Sequence, residues 1–334
     1  MSTSEKIAII GDGAMGSVCG IILANKGYDV GLWGAFPDNI KDMIRQGENR
    51  KYLPGFKLPQ KLHLSSKAEE ILKGASLVIS AVPCQYMRKV YRKLLDCLAE
   101  DAAIISVTKG IENDTLKRPS EILAELTGSE RRLGALSGPT IAVELAKGLP
   151  ATAVVASPNT ELAQRGQQIF TSEFFRLYTN SDLLGVELAG ASKNVIALAA
   201  GIIDGLGLGD NAKAALITRG LVEITRLGVT LGASEETFAG LAGLGDLVTT
   251  CISRLGRNRY VGEQIGKGKK LEDILSGMAG VAEGVATTKS LTVLAERHQV
   301  DMPITLKVHS VLFEGQDPLE AISELMSRAP KPER

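Results

Sequence analysis

The sequence predicts an α/β protein, with a doubly wound sheet in the first half and an all-helical unit after it. Three observations carry this. A glycine-rich turn, G-x-G-x-x-G at Gly11, Gly13 and Gly16, directly follows the first apolar run, residues 6–10. Short apolar, β-branched runs then alternate with amphipathic stretches, the pattern of strands feeding helices. From about Asp182 the strand signals stop, and helical segments are broken by Gly-rich loops.

Taken in order, KIAII is short, apolar and followed by Gly, so it reads as a buried parallel strand. A helix runs on to about Lys26, and YDVGLW is the next strand, which completes a βαβ unit of Rossmann type. Gly11 permits the tight turn and Gly13 lets backbone approach a pyrophosphate. Gly16 lets helix and strand pack closely, and the helix N-terminus offers unpaired N–H groups to phosphate. Residues 75–83 (ASLVISAVP) and 102–107 (AAIISV) are further strands, with the amphipathic CQYMRKVYRKLLDCLAE between them. GALSGPTIAVELAKGLP gives a strand, a Gly-Pro loop and a short helix, and ATAVVAS and FFRLYT close the sheet. The chain divides into a nucleotide-binding unit, residues 1–185, and a helical unit, residues 186–334.

The 334 residues carry 38 Lys+Arg against 38 Asp+Glu, a net charge of zero that argues against a nucleic-acid coat or a polybasic membrane anchor. Cys19, Cys84, Cys97 and Cys251 lack C-x-x-C spacing, so they read as reduced thiols. His63, His298 and His309 are scattered, and no metal site is expected. No signal-peptide pattern and no integral membrane segment is read from the chain, so a cytoplasmic location is expected.

One stretch raises a chemical question. LAGASKNVIALAAGII, residues 188–203, reads as a buried helix with one charge, Lys193. A buried lysine costs several kcal/mol unless it is paired, hydrated or neutral. Either its stem snorkels to water, or it is a catalytic group held in a cleft. Lys109 follows the strand AAIISV directly, which places it at the ligand edge of the sheet or on open surface. Asp246, after a Gly-rich turn, is a site carboxylate or a helix cap. Arg254, Arg257 and Arg259, beside Asn258, form a phosphate-reading loop or a solvated basic one.

Many blocks in order resemble the NAD(P)-dependent sn-glycerol-3-phosphate dehydrogenases of bacterial type, over nearly the whole chain. They are IIGDGAMG, LWG, YLPG, SAVP, TKGIE, LSGPT, ELAGASKNVIALAAGI, NAKAALITRGL, AGLGDLVTTC, RNRYVG and VAEGV. The resemblance implies hydride transfer between NADH or NADPH and dihydroxyacetone phosphate, giving sn-glycerol 3-phosphate for phospholipid synthesis, in a homodimer. It implies that Lys193 is the general acid/base, with Lys109 and Asp246 as its catalytic partners. Lys109, Gly138, Thr140, Asn194, Asp246, Thr250, Gly256, Arg257 and Asn258 would surround the substrate with Lys193. Gly11, Gly13, Ala14, Met15, Gly16, Ala35, Lys109, Ala142, Arg257, Val281 and Glu283 would meet the cofactor.

The sequence departs from the family pattern at three places. Met15 stands where an aromatic is usual, Ala35 where an Arg or His often follows LWG, and Gly256 where a Ser is common. No acid ends the second strand to hold a ribose 2′-hydroxyl, and Arg50 is the available substitute for a 2′-phosphate ligand, so NAD or NADP preference is open. Gly256 either loses one phosphate hydrogen bond or supplies it from backbone. Two rivals predict different behaviour. A β-hydroxyacid or 6-phosphogluconate type dehydrogenase would read a carboxylate, and a non-enzymatic NAD(H) sensor would have no need of Lys193.

Overall fold

The computed structural model describes residues 5–129, 132–330 and 332–333. Eight strands form one sheet: β1 (Lys6–Ile10), β2 (Asp29–Trp33), β3 (Leu62–Ser65), β4 (Leu77–Ser80), β5 (Ala103–Ser106), β6 (Leu133–Ser137), β7 (Ala151–Ala156) and β8 (Phe175–Asn180). Their order is β3-β2-β1-β4-β5-β6-β7-β8. All neighbours are parallel except β6 and β7. The doubly wound sheet is therefore as expected, with one antiparallel pair added. Strand β3 is not among the strands expected from the sequence; it is short and only half apolar, so its pattern is faint.

Strand order reverses beside β1, so the crevice at the carboxyl ends of β1 and β4 is the switch point where such sheets bind ligand. The glycine turn stands there. Gly11 has φ of +119°, and a Cβ on it would lie 2.6 Å from the Ala81 carbonyl oxygen just beyond β4. A Cβ on Gly16 would lie 1.9 Å from the Gly11 carbonyl oxygen, so only glycine lets helix Ala14–Asn25 start so close to the strand.

β8 ends at Asn180 and a 24-residue helix, Leu183–Leu206, opens the helical unit. The change from strand to helix thus falls a few residues before 185. Asp182 caps this helix through the Gly185 N–H. The helix is apolar all round because it is enclosed all round. By length and composition it is long enough to cross a membrane, but 94% of its apolar window is buried inside the protein. Helices Gly209–Thr230, Asp246–Ile252, Arg257–Gly266 and Glu283–Arg297 pack about it. Its closest neighbour is Arg257–Gly266. A Cβ on Gly201 would lie 2.0 Å from the Arg259 carbonyl oxygen, and one on Gly262 1.9 Å from that of Leu198. Two glycine faces thus bring the helix backbones into direct contact.

Candidate active site

Lys193 ends inside the protein. Its side chain is 7% exposed, and Nζ donates to Asp246 Oδ1 and to Thr250 Oγ1. That removes the snorkelling alternative. Asp246 is the first residue of its helix, yet its carboxylate does not cap it. Both oxygens face lysines, with Lys109 Nζ donating to Oδ2 at 2.5 Å. Lys109 also donates to the Gly138 carbonyl at 3.0 Å and lies 3.5 Å from Thr140 Oγ1. The topology explains the meeting. β5 and β6 are parallel, so the loops after them, carrying Lys109 and Gly138 to Thr140, emerge at one sheet edge.

This buried cluster holds two cations and one anion. Burial pushes the Lys193 ammonium down to about 8, with Lys109 acting in the same sense and Asp246 against it. The sequence left that net direction open. Burial alone would raise the Asp246 carboxyl, but the two ammonium groups outweigh it and hold it below its usual range.

Asn194, the next residue, links the lysine to the Arg-Asn loop. Its Nδ2 donates to the Lys109 carbonyl at 3.2 Å, and its Oδ1 accepts from Asn258 Nδ2 at 2.9 Å. Asn258 Oδ1 in turn accepts the Gly284 N–H at 3.0 Å. Of the three arginines, the structure separates one. Arg259 is turned inward to Asp204 at 2.5 Å and serves packing. Arg254 and Arg257 are exposed. Arg257 stands beside Gly280, where a Cβ would lie 2.6 Å from a guanidinium nitrogen. Gly256 precedes the helix, and its N–H donates to the Ser253 carbonyl at 3.1 Å, so that backbone donor is already used.

The cofactor candidates gather at the glycine turn and around Glu283. Ala14, Met15 and Ala142 are half-buried against one core at the glycine turn. Ala35 is exposed just beyond β2, and Val281 is 37% exposed. Glu283 Oε1 accepts the Cys84 N–H at 3.0 Å, while its Oε2 is buried with no partner among the described residues. Burial pushes the Glu283 carboxyl up to about 7, against the Cys84 N–H and Arg257. The sequence places Cys84 after SAVP, near the expected cofactor, with its thiol expected to serve packing. Its backbone N–H is the part facing the site, and no side-chain pattern reports a backbone donor.

These residues fit a dinucleotide. A Cβ on Gly13 would meet nothing within 4 Å, and the helix it caps has no side-chain cap bond, so space and N–H donors are left at its start. With the orphaned Glu283 oxygen and a cationic pocket beside it, fold and site define a nicotinamide-dinucleotide oxidoreductase. Sequence profiles sharpen this. NAD-dependent glycerol-3-phosphate dehydrogenase N-terminus matches residues 6–163, and the corresponding C-terminus matches residues 182–323. The chain belongs to that family.

Relatives agree along the full length. A glycerol-3-phosphate dehydrogenase [NAD(P)+] of Chlorobium limicola is 47% identical over 98% of this chain and 99% of its own. One of a Geobacter species is 50% identical over 99% of both. The crystal structure of a glycerol-3-phosphate dehydrogenase from Coxiella burnetii superposes with a TM-score of 0.93 at 36% identity, covering 97% of this chain and 99% of that one.

Proposed function

We propose that this chain reduces dihydroxyacetone phosphate to sn-glycerol 3-phosphate, reversibly, with Lys193 as the proton donor. The observation that carries it is the buried Lys193–Asp246–Lys109 cluster at the ligand edge of a dinucleotide sheet. A dihydronicotinamide held at the glycine turn would supply hydride to the central carbonyl carbon. Charge then grows on the carbonyl oxygen, where a fixed ammonium stabilises it and gives up its proton. Asp246 holds both lysine heads at hydrogen-bond distance, so neither has to be oriented during the reaction.

Gly138, Thr140, Asn194 and Thr250 wall the substrate pocket, and Arg257 and Asn258 receive its phosphate. The bond from Asn258 to Asn194 supports that assignment, because it couples the Arg-Asn turn to the lysine helix. Gly11, Gly13, Ala14, Met15, Gly16, Ala35, Ala142, Val281 and Glu283 flank the cofactor, with Lys109 and Arg257 between the two ligands. The first unit carries the cofactor and the helical unit the substrate. We further propose a cytoplasmic enzyme, consistent with four free cysteines, that acts as a homodimer and feeds phospholipid synthesis. Exposed Leu319 and Met326 support association, and light scattering in solution tests it.

The test is oxidation of NADH, and separately NADPH, with dihydroxyacetone phosphate by the purified protein beside Lys193→Ala. Turnover in the native protein, reduced at least about 100-fold in the variant with dinucleotide binding kept, is the expected result. Folded protein that binds dinucleotide yet turns over neither pair would refute the reading.

A further inference from the structure

In doubly wound sheets the residue just past the second strand reads the adenosine ribose. An acid there accepts the 2′-hydroxyl, and an arginine there takes a 2′-phosphate. After β2 this chain has Gly34, Ala35, Phe36 and Pro37, with neither group. The next acid, Asp38, is 99% exposed and lies 3.6 Å from Lys41.

The structure brings a carboxylate to that place from elsewhere. Asp12, the middle residue of Gly-Asp-Gly in the glycine turn, leans across to the end of β2. A Cβ on Gly34 would lie 2.8 Å from Asp12 Cγ, so the carboxylate rests against the Gly34 backbone. A larger residue at 34 would displace it. The side chain is fixed in that position. Asn39 Nδ2 donates to Asp12 Oδ2 at 2.7 Å, and the fully buried Asn49 donates to the Asp12 carbonyl at 2.8 Å and to Ser17 Oγ at 2.8 Å. The other oxygen, Oδ1, has no hydrogen-bond partner among the described residues, and it is not among the side-chain oxygens sealed from solvent. Asp12 is 7% exposed, with one carboxylate oxygen spent on positioning and the other, beside the glycine turn, left without a protein partner among the described residues.

We propose that Asp12 selects the dinucleotide, its free oxygen accepting a ribose hydroxyl of NAD(H) and its charge repelling the 2′-phosphate of NADP(H). The proposal rests on the dehydrogenase reading. It also explains why Ala35 is tolerated, since the acid that the strand end lacks is supplied from the turn. A fixed charged acceptor facing a hydroxyl is the kind of contact that separates ligands strongly when one of them lacks that hydroxyl. The competing readers are Arg50 and Lys51. Lys51 Nζ lies 5.7 Å from the Phe36 ring centroid and 4.9 Å from that of Tyr52, close enough to swing towards a phosphate.

The experiment measures Kd for NADH and NADPH by calorimetry on the full native chain, on Asp12→Asn and on Asp12→Ser. The native protein should bind NADH at least about tenfold more tightly than NADPH. Both variants should narrow that ratio about tenfold or more, largely by gaining affinity for NADPH. Because a variant can fail to fold, 5′-AMP and 2′,5′-ADP are compared on the native protein as well, where 5′-AMP should bind more tightly. Native protein that prefers NADPH or 2′,5′-ADP, or folded variants with an unchanged ratio, would overturn the role of Asp12 and point to Arg50. Native protein that binds neither dinucleotide would overturn the dehydrogenase reading along with it.

Discussion

At the scale of single residues, the site works by an imbalance of charge. Lys193 and Lys109 share one carboxylate, and burial denies Lys193 and Asp246 bulk water while Lys109 is half-buried. The result is an ammonium poised near 8 instead of its ordinary 10.5. Reduction needs Lys193 protonated, so kcat/KM for dihydroxyacetone phosphate should be flat below that pH and fall about tenfold per pH unit above it. Oxidation of glycerol 3-phosphate needs the neutral amine, so its profile should rise through the same region. The Asp246 carboxylate favours the charged ammonium of Lys193, so Asp246→Asn should move both breaks to lower pH. Profiles of kcat/KM against pH in the two directions check this, and a break that does not move in Asp246→Asn would count against Lys193 as the titrating group. The charge at 193 could be read in the sequence as an anomaly in an apolar run. Its pairing could not, because Asp246 lies 53 residues away and reaches Lys193 only through tertiary packing.

At the scale of elements, the site depends on how closely two helices approach. The glycines of Arg257–Gly266 and of the lysine helix interlock, and that contact sets where Arg257 and Asn258 stand relative to Asn194. A methyl group at 262 would meet the Leu198 carbonyl at 1.9 Å, and no flexible side-chain end is there to yield. Gly262→Ala should therefore force the helices apart, costing about 3 kcal/mol. KM for dihydroxyacetone phosphate should rise while Kd for dinucleotide holds, since the glycine turn is untouched. Gly277→Ala is the control, because its nearest neighbours would be 3.8 Å away. Urea unfolding and steady-state kinetics read both effects, and equal behaviour of the two variants would refute the packing argument. The sequence made the strands and the first glycine turn legible because their signals are local, apolar runs of period two or less punctuated by glycine. It did not reveal the antiparallel β7, since pairing direction is a property of two strands together. Nor did the loop's own pattern sort Arg257 from Arg259; the family resemblance singled out Arg257, and the different fates of the two turn on Asp204 on a neighbouring helix.

At the scale of the whole molecule, the reaction needs the two units held in register, because Lys109 and Gly138 come from the sheet whereas Lys193 and Asp246 come from the helices. Glu187 is placed to hold them. It lies on the lysine helix, six residues before Lys193, and its side chain is 1% exposed. Its Oε1 accepts the Ser120 N–H at 2.8 Å, and its Oε2 accepts from Ser120 Oγ at 2.5 Å and from Arg118 Nη1 at 2.5 Å. Ser120 and Arg118 belong to the start of a sheet-side helix, Pro119–Thr127, so three hydrogen bonds to one carboxylate clamp the units together. Glu187→Ala leaves the buried Ser120 N–H and hydroxyl without their acceptor and takes from the half-buried Arg118 one of its two carboxylate partners, Glu121 remaining at 3.1 Å. The loss should be about 3 kcal/mol, against less than about 0.5 kcal/mol for Lys41→Ala, which removes an exposed pair. Glu187→Gln keeps an acceptor for Ser120 and should fall between them. The clamp also fixes the distance from Lys193 to the Lys109 loop, so kcat should fall in Glu187→Ala in parallel with stability while Lys41→Ala keeps both. Urea midpoints with kcat measured on the same three variants decide it, and a Glu187→Ala protein as stable and as active as Lys41→Ala would mean that register between the units is set elsewhere.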